Sequence, residues 1–335
     1  MRAATWNASG RLDLVEIAAP ESPSAEVLVR PLVVGICGSD LHFYRGEFSP
    51  AVGGVPGHEI AGVVESGGSL PSGTLVAVEP TLPCGQCPSC RRGQSPACQR
   101  LRLMGISAPG GMQELLSAPE ANVHPLPEGV DCSIGALSEP LAVCVRAINR
   151  AEIPVGARVL VLGSGTIGLL ATLLAEELAS EVVATARYPH QADLARSFGA
   201  AHVFEPDSPE LLRWARRNPV DVVIETVGGA APTLMEAVTA VRPGGTVLAL
   251  GVFTHDVLLP ARKLVNQEVR LIGSVVYGHA GHQSEFGAAV GLLGRCASQL
   301  AAVKSATYPL ERANEAFEHA LDKSRLAVKV SVELA

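Results

Sequence analysis

A buried strand that turns directly into a helix is predicted by the stretch Val159-Leu160-Val161-Leu162-Gly163-Ser164-Gly165-Thr166-Ile167-Gly168. Its glycines have the spacing G-x-G-x-x-G, in which the first allows a tight turn, the second lets the backbone approach a pyrophosphate and the third lets the helix pack on the strand. The amino-terminal N–H groups of the helix would face the phosphates. The same spacing also occurs in purely structural turns, but the strand and helix around it favour a dinucleotide site at residues 163–168.

Strands and helices alternate on the carboxyl side of this turn. Predicted strands cover 158–162, 181–185, 220–225, 246–251 and 269–274, and predicted helices cover 166–178, 191–198 and 232–241. Alternation over this length predicts an α/β fold with a doubly wound parallel sheet.

The residues before the turn have a different character. Up to about residue 140 the chain is rich in Gly, Pro and short β-branched runs, at 27–29, 32–34, 61–64 and 75–78. Helix is predicted at 141–150 and 312–321, and a last strand at 327–332. The chain is therefore expected to hold a β-rich domain and an α/β domain.

Length and composition limit the class of protein. The 335 residues are 47% hydrophobic and 18% charged, which is enough for two packed domains. The net charge of -7 argues against a nucleic-acid partner and an anionic membrane surface. The apolar stretch 155–186 is interrupted by glycines and charges, and the amino terminus has no signal-peptide core. A cytoplasmic location is expected.

The end of the second predicted strand bears on the choice of dinucleotide. NAD-binding sites of this kind carry an acidic residue there for the ribose hydroxyls. This chain has Ala186 and Arg187 and no carboxylate. The small Ala186 leaves room for a 2′-phosphate, which the guanidinium of Arg187 could bind. NADP is therefore predicted, with NAD as the alternative if Arg187 is only a solvated surface residue.

Four cysteines lie within a short loop, at positions 84, 87, 90 and 98. Four thiolates can complete a tetrahedral shell around Zn²⁺ and leave no open position, which is typical of a structural site. An iron–sulfur cluster could use the same ligands, but nothing else in the chain suggests electron transfer. The loop 84–98 is predicted to be a structural zinc lobe.

A second metal site is predicted from residues that are farther apart in the sequence. Cys37 lies in Gly-Ile-Cys-Gly-Ser-Asp-Leu-His, and His58 and Glu59 lie in Pro-Gly-His-Glu-Ile-Ala-Gly. One thiolate, one imidazole and one carboxylate or water would form a mixed, open zinc shell, as a Lewis-acid catalyst requires.

These motifs, in this order, resemble the zinc-containing medium-chain dehydrogenases of the alcohol dehydrogenase superfamily, most closely their sorbitol and threonine dehydrogenase-like branch. The resemblance covers essentially the whole chain. It implies a GroES-like catalytic domain formed by residues 1–140 and 277–335, and a Rossmann dinucleotide-binding domain at 141–276. It also implies one catalytic and one structural zinc ion per chain.

The resemblance assigns roles by position. Cys37 and His58 match catalytic zinc ligands, Glu59 matches a carboxylate on or just behind the zinc, and Glu139 matches a further glutamate of the polyol-type site. Cys144 is a rival ligand by proximity in the sequence, although a small buried helix residue fits it better.

Two further positions match the groups that move the proton. Ser39 matches the hydroxyl that bonds the substrate oxygen, and His42 matches a relay position that leads to solvent. Taken alone, Ser39 could be a turn residue and His42 a surface imidazole.

The chain departs from the polyol-type pattern at two substrate positions. Tyr277 follows Val276 where those enzymes often have an Arg-Tyr pair, and Phe43 stands where they commonly have tyrosine. Both changes remove polar groups from the expected pocket, which puts sorbitol itself in doubt.

The predicted function is hydride transfer between a secondary alcohol, polyol or amino alcohol, or the matching ketone, and NADP. The alternatives are an NAD-dependent polyol or threonine dehydrogenase, a zinc-free quinone or enoyl reductase and a catalytically silent homologue. The presence of Cys37, His58 and Ser39 argues against the last two. A homodimer or homotetramer is expected, with a small-molecule substrate as the other partner.

Overall fold

The computed structural model describes residues 1–21 and 26–334. The chain forms two compact units, Met1–Ala142 with Gly281–Ala335, and Val143–Ala280. These limits lie within a few residues of 140 and 277, the boundaries expected from the sequence. Tyr277 belongs to the second unit rather than to the catalytic domain in which the sequence analysis placed it.

The secondary structure alternates short strands with helices along the described chain. The strands are β1 (Arg2–Trp6), β2 (Leu12–Glu16), β3 (Glu26–Gly35), β4 (Glu59–Ser66), β5 (Leu75–Val78), β6 (Thr81–Leu82), β7 (Arg102–Leu103), β8 (Leu116–Pro119), β9 (Val123–Pro125), β10 (Arg158–Leu162), β11 (Glu181–Thr185), β12 (Ala200–Phe204), β13 (Val220–Glu225), β14 (Val241–Ala249), β15 (Arg270–Gly273), β16 (His279–Ala280), β17 (Gln283–Ser284), β18 (Lys304–Pro309) and β19 (Lys329–Glu333). The helices are α1 (Gly38–Tyr44), α2 (Pro88–Arg91), α3 (Cys132–Gly135), α4 (Ser138–Ala151), α5 (Thr166–Glu176), α6 (Pro189–Ser197), α7 (Pro209–Arg217), α8 (Thr233–Ala240), α9 (Ala261–Asn266), α10 (Glu285–Leu292), α11 (Ala297–Val303) and α12 (Ala313–Leu321).

The first unit is built on an extended sheet. Its strand order is β18-β19-β3-β4-β5-β9, and β8 pairs with the first half of β3. The strand pairs that include β3, β4 and β5 are antiparallel. An apolar cluster that includes Trp6, Tyr44 and Phe317 packs α1 and α12 against this sheet. The β-rich, GroES-like domain expected from the sequence is confirmed.

The second unit holds a six-stranded parallel sheet in the order β12-β11-β10-β13-β14-β15. Because the order reverses between β10 and β13, this is a doubly wound Rossmann sheet, as expected. Val159 to Leu162 are fully buried, which explains why the β10 sequence is continuously apolar.

Four elements of this unit were missed from the sequence, namely β12, α7, α9 and β16, and one strand began earlier than predicted. The pattern of edge strand β12, Ala-Ala-His-Val-Phe, is weak because its residues are largely half-buried or exposed. Helix α7 begins with Ser208 as its N-cap and was not identified. Strand β14 starts at Val241 rather than at residue 246, because the Pro-Gly-Gly run inside it reads as a turn.

Within the described ranges no single helix is long and apolar enough to cross a membrane. Helices α10 and α11 together meet the length and composition criteria for a span, but they are bent by 97° at the break between them.

Candidate active site

The first predicted zinc ligands are placed by the pairing of β3 with β4. Gly35 at the end of β3 lies opposite Glu59 at the start of β4, so Cys37 and His58 come together just beyond the two strand ends. The thiol of Cys37, one ring nitrogen of His58 and one carboxylate oxygen of Glu59 all lie within 4.8 Å of one another. A Cβ atom at Gly35 would clash with the Glu59 carboxylate, so this close approach requires glycine.

Helix α1 starts at this cluster and carries the predicted proton-transfer residues. Cys37 is its N-cap, and Ser39 and His42 lie three residues apart, on one face of the helix. The Ser39 hydroxyl lies 3.4 Å from Nε2 of His58. His42 Nδ1 bonds the half-exposed carboxylate of Glu47, so a proton that reaches His42 has a route to solvent.

Asp40 is a site residue to which the sequence analysis gave no role. Its side chain is fully buried, one oxygen accepts the Cys37 N–H at 2.9 Å, and the other lies 3.6 Å from His58 Nδ1. Burial opposes the charge on His58, but Asp40 and Cys37 outweigh it and raise the pKa of this imidazole well above its ordinary value. The 3.6 Å separation is longer than a hydrogen bond, so Asp40 acts on His58 through its charge, and the same negative surroundings favour a cation at Nε2.

Lys329 is the second residue that the sequence analysis missed. Its ammonium group donates to both carboxylate oxygens of Glu59, at 2.5 and 2.6 Å, and to the Ile36 carbonyl at 3.0 Å. The side chains of Lys329 and Glu59 are 6% and 1% exposed, so this is a buried ion pair. Burial disfavours the lysine charge, but Glu59 and Cys37 raise the pKa of Lys329 above its ordinary value. Lys329 shares its position in the strand alternation with Ser331 and Glu333, so the sequence pattern gave no signal that it is buried.

The remaining candidate ligands differ in position. Glu139 is buried near the amino end of α4, and its charge acts on both His58 and Lys329, but it lies outside the cluster defined by 4.8 Å separations. Cys144 is fully buried in the second unit and donates to the Ile167 carbonyl at 3.4 Å. The structure thus groups Cys37, His58 and Glu59 tightly, places Glu139 nearby and gives Cys144 another partner.

The four lobe cysteines converge as their spacing predicts. Their sulfur atoms lie within 4.8 Å of one another, and a tetrahedral Zn–S shell would need separations of about 3.8 Å. Backbone N–H groups of Cys84, Cys87 and Arg100 point at the sulfurs of Cys98 and Cys84, at 3.3 to 3.4 Å.

The electrostatics of the lobe fit a bound cation. Backbone N–H groups of Gln86 and Cys87 lower the pKa of Cys84 to about 6. Burial and the neighbouring thiols raise the pKa of Cys90 to about 12. A cation among the sulfurs would favour the thiolate forms, and Zn²⁺ is the ion that a four-cysteine shell of this kind usually holds.

The glycine-rich turn has the geometry expected of a phosphate-binding turn. Gly163 has a φ of 98° and donates to the Thr185 hydroxyl at 2.8 Å, and the Ser164 hydroxyl donates to the Thr185 carbonyl at 2.8 Å. A Cβ at Gly168 would clash with the Gly163 carbonyl, whereas a Cβ at Gly165 would meet nothing within 4 Å. The turn is therefore packed tightly where α5 meets β10. It leaves space at the amino end of α5, where Gly165, Thr166 and Ile167 begin the helix. A pyrophosphate fits there.

The residues predicted to select the cofactor and substrate lie in different environments. Ala186 is buried at the end of β11 and Arg187 is exposed directly after it. Phe43 is half-buried on α1 and packs near the Trp6 and Phe48 rings, with centroids 6.2 and 6.0 Å away. Tyr277 is 1% exposed.

Comparisons with known proteins show the family to which this chain belongs. Residues 23–128 match the family "Alcohol dehydrogenase GroES-like domain", and residues 166–295 match "Zinc-binding dehydrogenase". The chain is 32% identical to D-xylulose reductase A of Aspergillus niger over 76% of this chain and 75% of that protein. It is 30% identical to 2-dehydro-3-deoxy-L-galactonate 5-dehydrogenase of Pseudoalteromonas atlantica over 99% and 98% of the two chains.

A solved structure shows the same two-domain fold. A protein of Sinorhizobium meliloti 1021, assigned as a zinc-binding dehydrogenase and crystallised with NADP, superimposes with a TM-score of 0.91 at 28% identity over 99% and 98% of the two chains. Fold, donor sets and glycine-rich turn define a zinc-dependent alcohol dehydrogenase, an oxidoreductase that acts on CH–OH groups. The chain belongs to the zinc-containing medium-chain dehydrogenase/reductase family.

Proposed function

We propose that this enzyme interconverts a secondary alcohol or polyol and the matching ketone with NADP, using one catalytic and one structural zinc ion. The observation that carries the proposal is the cluster of Cys37, His58 and Glu59 with the Ser39 hydroxyl beside His58. A zinc ion held there would act as a Lewis acid on the substrate oxygen, and the dinucleotide would take or give the hydride.

The residues of the chain supply orientation and proton transfer. Ser39 is positioned to accept the proton of the substrate hydroxyl. His42, three residues farther along the same face of α1, can pass that proton to Glu47 and solvent. The charge of Asp40 lies 3.6 Å from Nδ1 of His58, and Lys329 offsets the charge of Glu59. In ketone reduction the same groups deliver a proton.

Two observations bear on the substrate, and they point in different directions. The names of the relatives from Aspergillus niger and Pseudoalteromonas atlantica refer to sugar-derived compounds. Phe43, in contrast, adds an apolar surface to α1 where a tyrosine would add a hydroxyl. We therefore place a secondary alcohol with few polar groups beside the reacting carbon ahead of sorbitol.

The preference for NADP rests on Arg187. It is exposed after the buried Ala186, no carboxylate occupies the end of β11, and the Sinorhizobium meliloti relative binds NADP. We expect NADPH to bind more tightly than NADH, and Arg187→Ala to reduce that preference by about tenfold to a hundredfold, the loss of a charge-assisted bond to phosphate. Fluorescence titration of the zinc-loaded protein measures both affinities.

The matched control is Arg196→Ala, which removes an exposed arginine of α6 that pairs with Asp193. It should leave the preference unchanged. Equal binding of the two nucleotides by the native protein would refute the NADP proposal and make an NAD-dependent polyol dehydrogenase the better description.

We further propose a homodimer that forms through the outer edge of β15. No strand in the described part of the chain pairs with that edge, although parallel sheets are normally covered. Leu271 on β15 and Val275 just beyond it are 38% and 61% exposed. An antiparallel pairing of two copies would bury both residues in each chain and continue the sheet.

Leu271→Glu should therefore convert the dimer to a monomer in sedimentation equilibrium, because it would place two like charges at a self-complementary interface. Val155→Glu, at a residue of the same unit that is 89% exposed, is the control and should leave the mass unchanged. A native protein with the mass of one chain at micromolar concentration would rule out the dimer.

A further inference from the structure

A buried carboxylate stands at the carboxyl end of β13 in the second unit. Glu225 is the last residue of the strand and is 0% exposed. Its Oε1 accepts the Val227 N–H at 2.8 Å, the Gly228 N–H at 2.9 Å and the Thr233 hydroxyl at 2.7 Å. All three donors are uncharged, so the carboxylate is held by the backbone of the loop that follows it and by the hydroxyl of the first residue of α8.

The second oxygen of Glu225 reaches a different loop. Gly251, which follows β14, shares its N–H between Oε2 of Glu225 at 3.3 Å and the main-chain carbonyl of Glu225 at 3.2 Å, and the Leu250 N–H bonds the same carbonyl at 2.8 Å. The two loops also bond directly, since Gly229 donates to the Val252 carbonyl at 2.7 Å. A Cβ at Gly251 would lie 2.6 Å from the Glu225 carboxylate, so only glycine fits there. Glu225 therefore ties together the loop at residues 226–229 and the loop at residues 250–254.

These tied loops adjoin the glycine-rich turn. The Thr226 hydroxyl donates to the Leu162 carbonyl at 2.8 Å, and a Cβ at Gly163 would meet Val227 at 2.7 Å. Val227 and Val252, one from each loop, are 44% and 48% exposed. Each loop thus exposes an apolar side chain at the carboxyl edge of the sheet, and that of Val227 lies beside the turn.

The direction in which a dinucleotide would cross the sheet indicates what these exposed loops would contact. Its pyrophosphate would lie at the amino end of α5, and its adenosine ribose near Arg187 at the end of β11. Since β11 and β13 flank β10 on opposite sides, the nicotinamide half must extend over β13 and β14. Ordered apolar loops at that point would receive the flat nicotinamide ring.

We propose that Glu225 is a positioning residue for the dinucleotide: by holding the loops after β13 and β14 together, it preforms the surface that receives the nicotinamide half. This inference rests on the proposed function, because it requires that a nicotinamide dinucleotide binds this unit. Glu225 acts on the dinucleotide through Val227 and Val252, not by direct contact with a reacting atom.

The test is Glu225→Gln. The amide oxygen can still accept the bonds from Val227, Gly228 and Thr233, but the NH₂ group would then face the Gly251 N–H. The side-chain tie to the second loop is therefore lost selectively, while the main-chain bonds to the Glu225 carbonyl remain. We expect the dissociation constant for NADPH, from fluorescence titration, to rise at least about tenfold. Amide hydrogen exchange should speed up at residues 250–254 and remain slow within β13.

Asp221→Asn is the matched control on the same strand. Asp221 lies at the opposite end of β13 and accepts the Arg158 N–H at 2.8 Å and Arg242 Nε at 2.6 Å. This variant should destabilise the unit without weakening dinucleotide binding, because its bonds lie away from the carboxyl edge.

The outcomes separate two failures. Native affinity in Glu225→Gln, or an equal loss of affinity in Asp221→Asn, would overturn the positioning role while leaving the proposed function intact. A native protein that binds neither NADPH nor NADH would overturn the proposed function itself.

Discussion

Lys329→Met is expected to lower the free energy of unfolding of the first unit by about 3–5 kcal/mol, because it leaves the Glu59 carboxylate buried without its counter-charge. Glu59 is 1% exposed, and both of its oxygens bond the Lys329 ammonium group. Methionine keeps most of the volume of the lysine stem, so loss of packing contributes little. A zinc ion nearby would offset part of the same charge, so the loss should be larger after chelation.

The two tryptophans allow the first unit to be observed alone. Trp6 lies in its apolar core, and Trp214 lies on α7 of the second unit. In a Trp214→Phe background, urea unfolding followed by the fluorescence of Trp6 reports the first unit.

A double-mutant cycle identifies the cause of any loss. Glu59→Gln together with Lys329→Met removes both charges and should cost less than Lys329→Met alone, since no uncompensated charge stays buried. A loss of unfolding free energy below about 1 kcal/mol in Lys329→Met would show that the pair does not act as inferred. A double variant whose loss equals the sum of the two single-variant losses would show the same.

Cys37→Ser should reduce zinc from two ions per chain to one and lower turnover at least about 10³-fold, since a Lewis-acid metal supplies several kcal/mol of transition-state stabilisation. Serine keeps the size of the side chain but is a poor zinc ligand at neutral pH. Metal content by atomic emission and the steady-state rate on a panel of ketones and polyols measure the two effects.

Two other cysteines make this experiment specific. Cys98→Ser should also leave one zinc ion, the one at Cys37, and should mainly destabilise the lobe. Cys144→Ala should keep both zinc ions and most of the activity, because this thiol bonds the Ile167 carbonyl. Two zinc ions retained in Cys37→Ser would disprove the assigned site, and one ion lost in Cys144→Ala would make Cys144 the ligand.

Local sequence determined the elements and the turns of this protein. The apolar run at 158–162 and the glycines after it predicted β10, the turn and α5, because strand burial and glycine backbone freedom are local properties. The spacing of the four lobe cysteines predicted their convergence for the same reason, since one short loop contains all of them. Edge strand β12 escaped prediction because a half-exposed strand has little apolar periodicity.

The tertiary structure decided which distant residues act together. Asp40 lies inside a motif that was recognised, yet only the pairing of β3 with β4 places it behind His58. Lys329 meets Glu59 because β19 pairs with β3, across a separation of 270 residues. Glu225 links two loops only because β13 and β14 are neighbours in the sheet. Buried charges need partners, and strand pairing over long separations, which local sequence does not encode, decides which residues supply them.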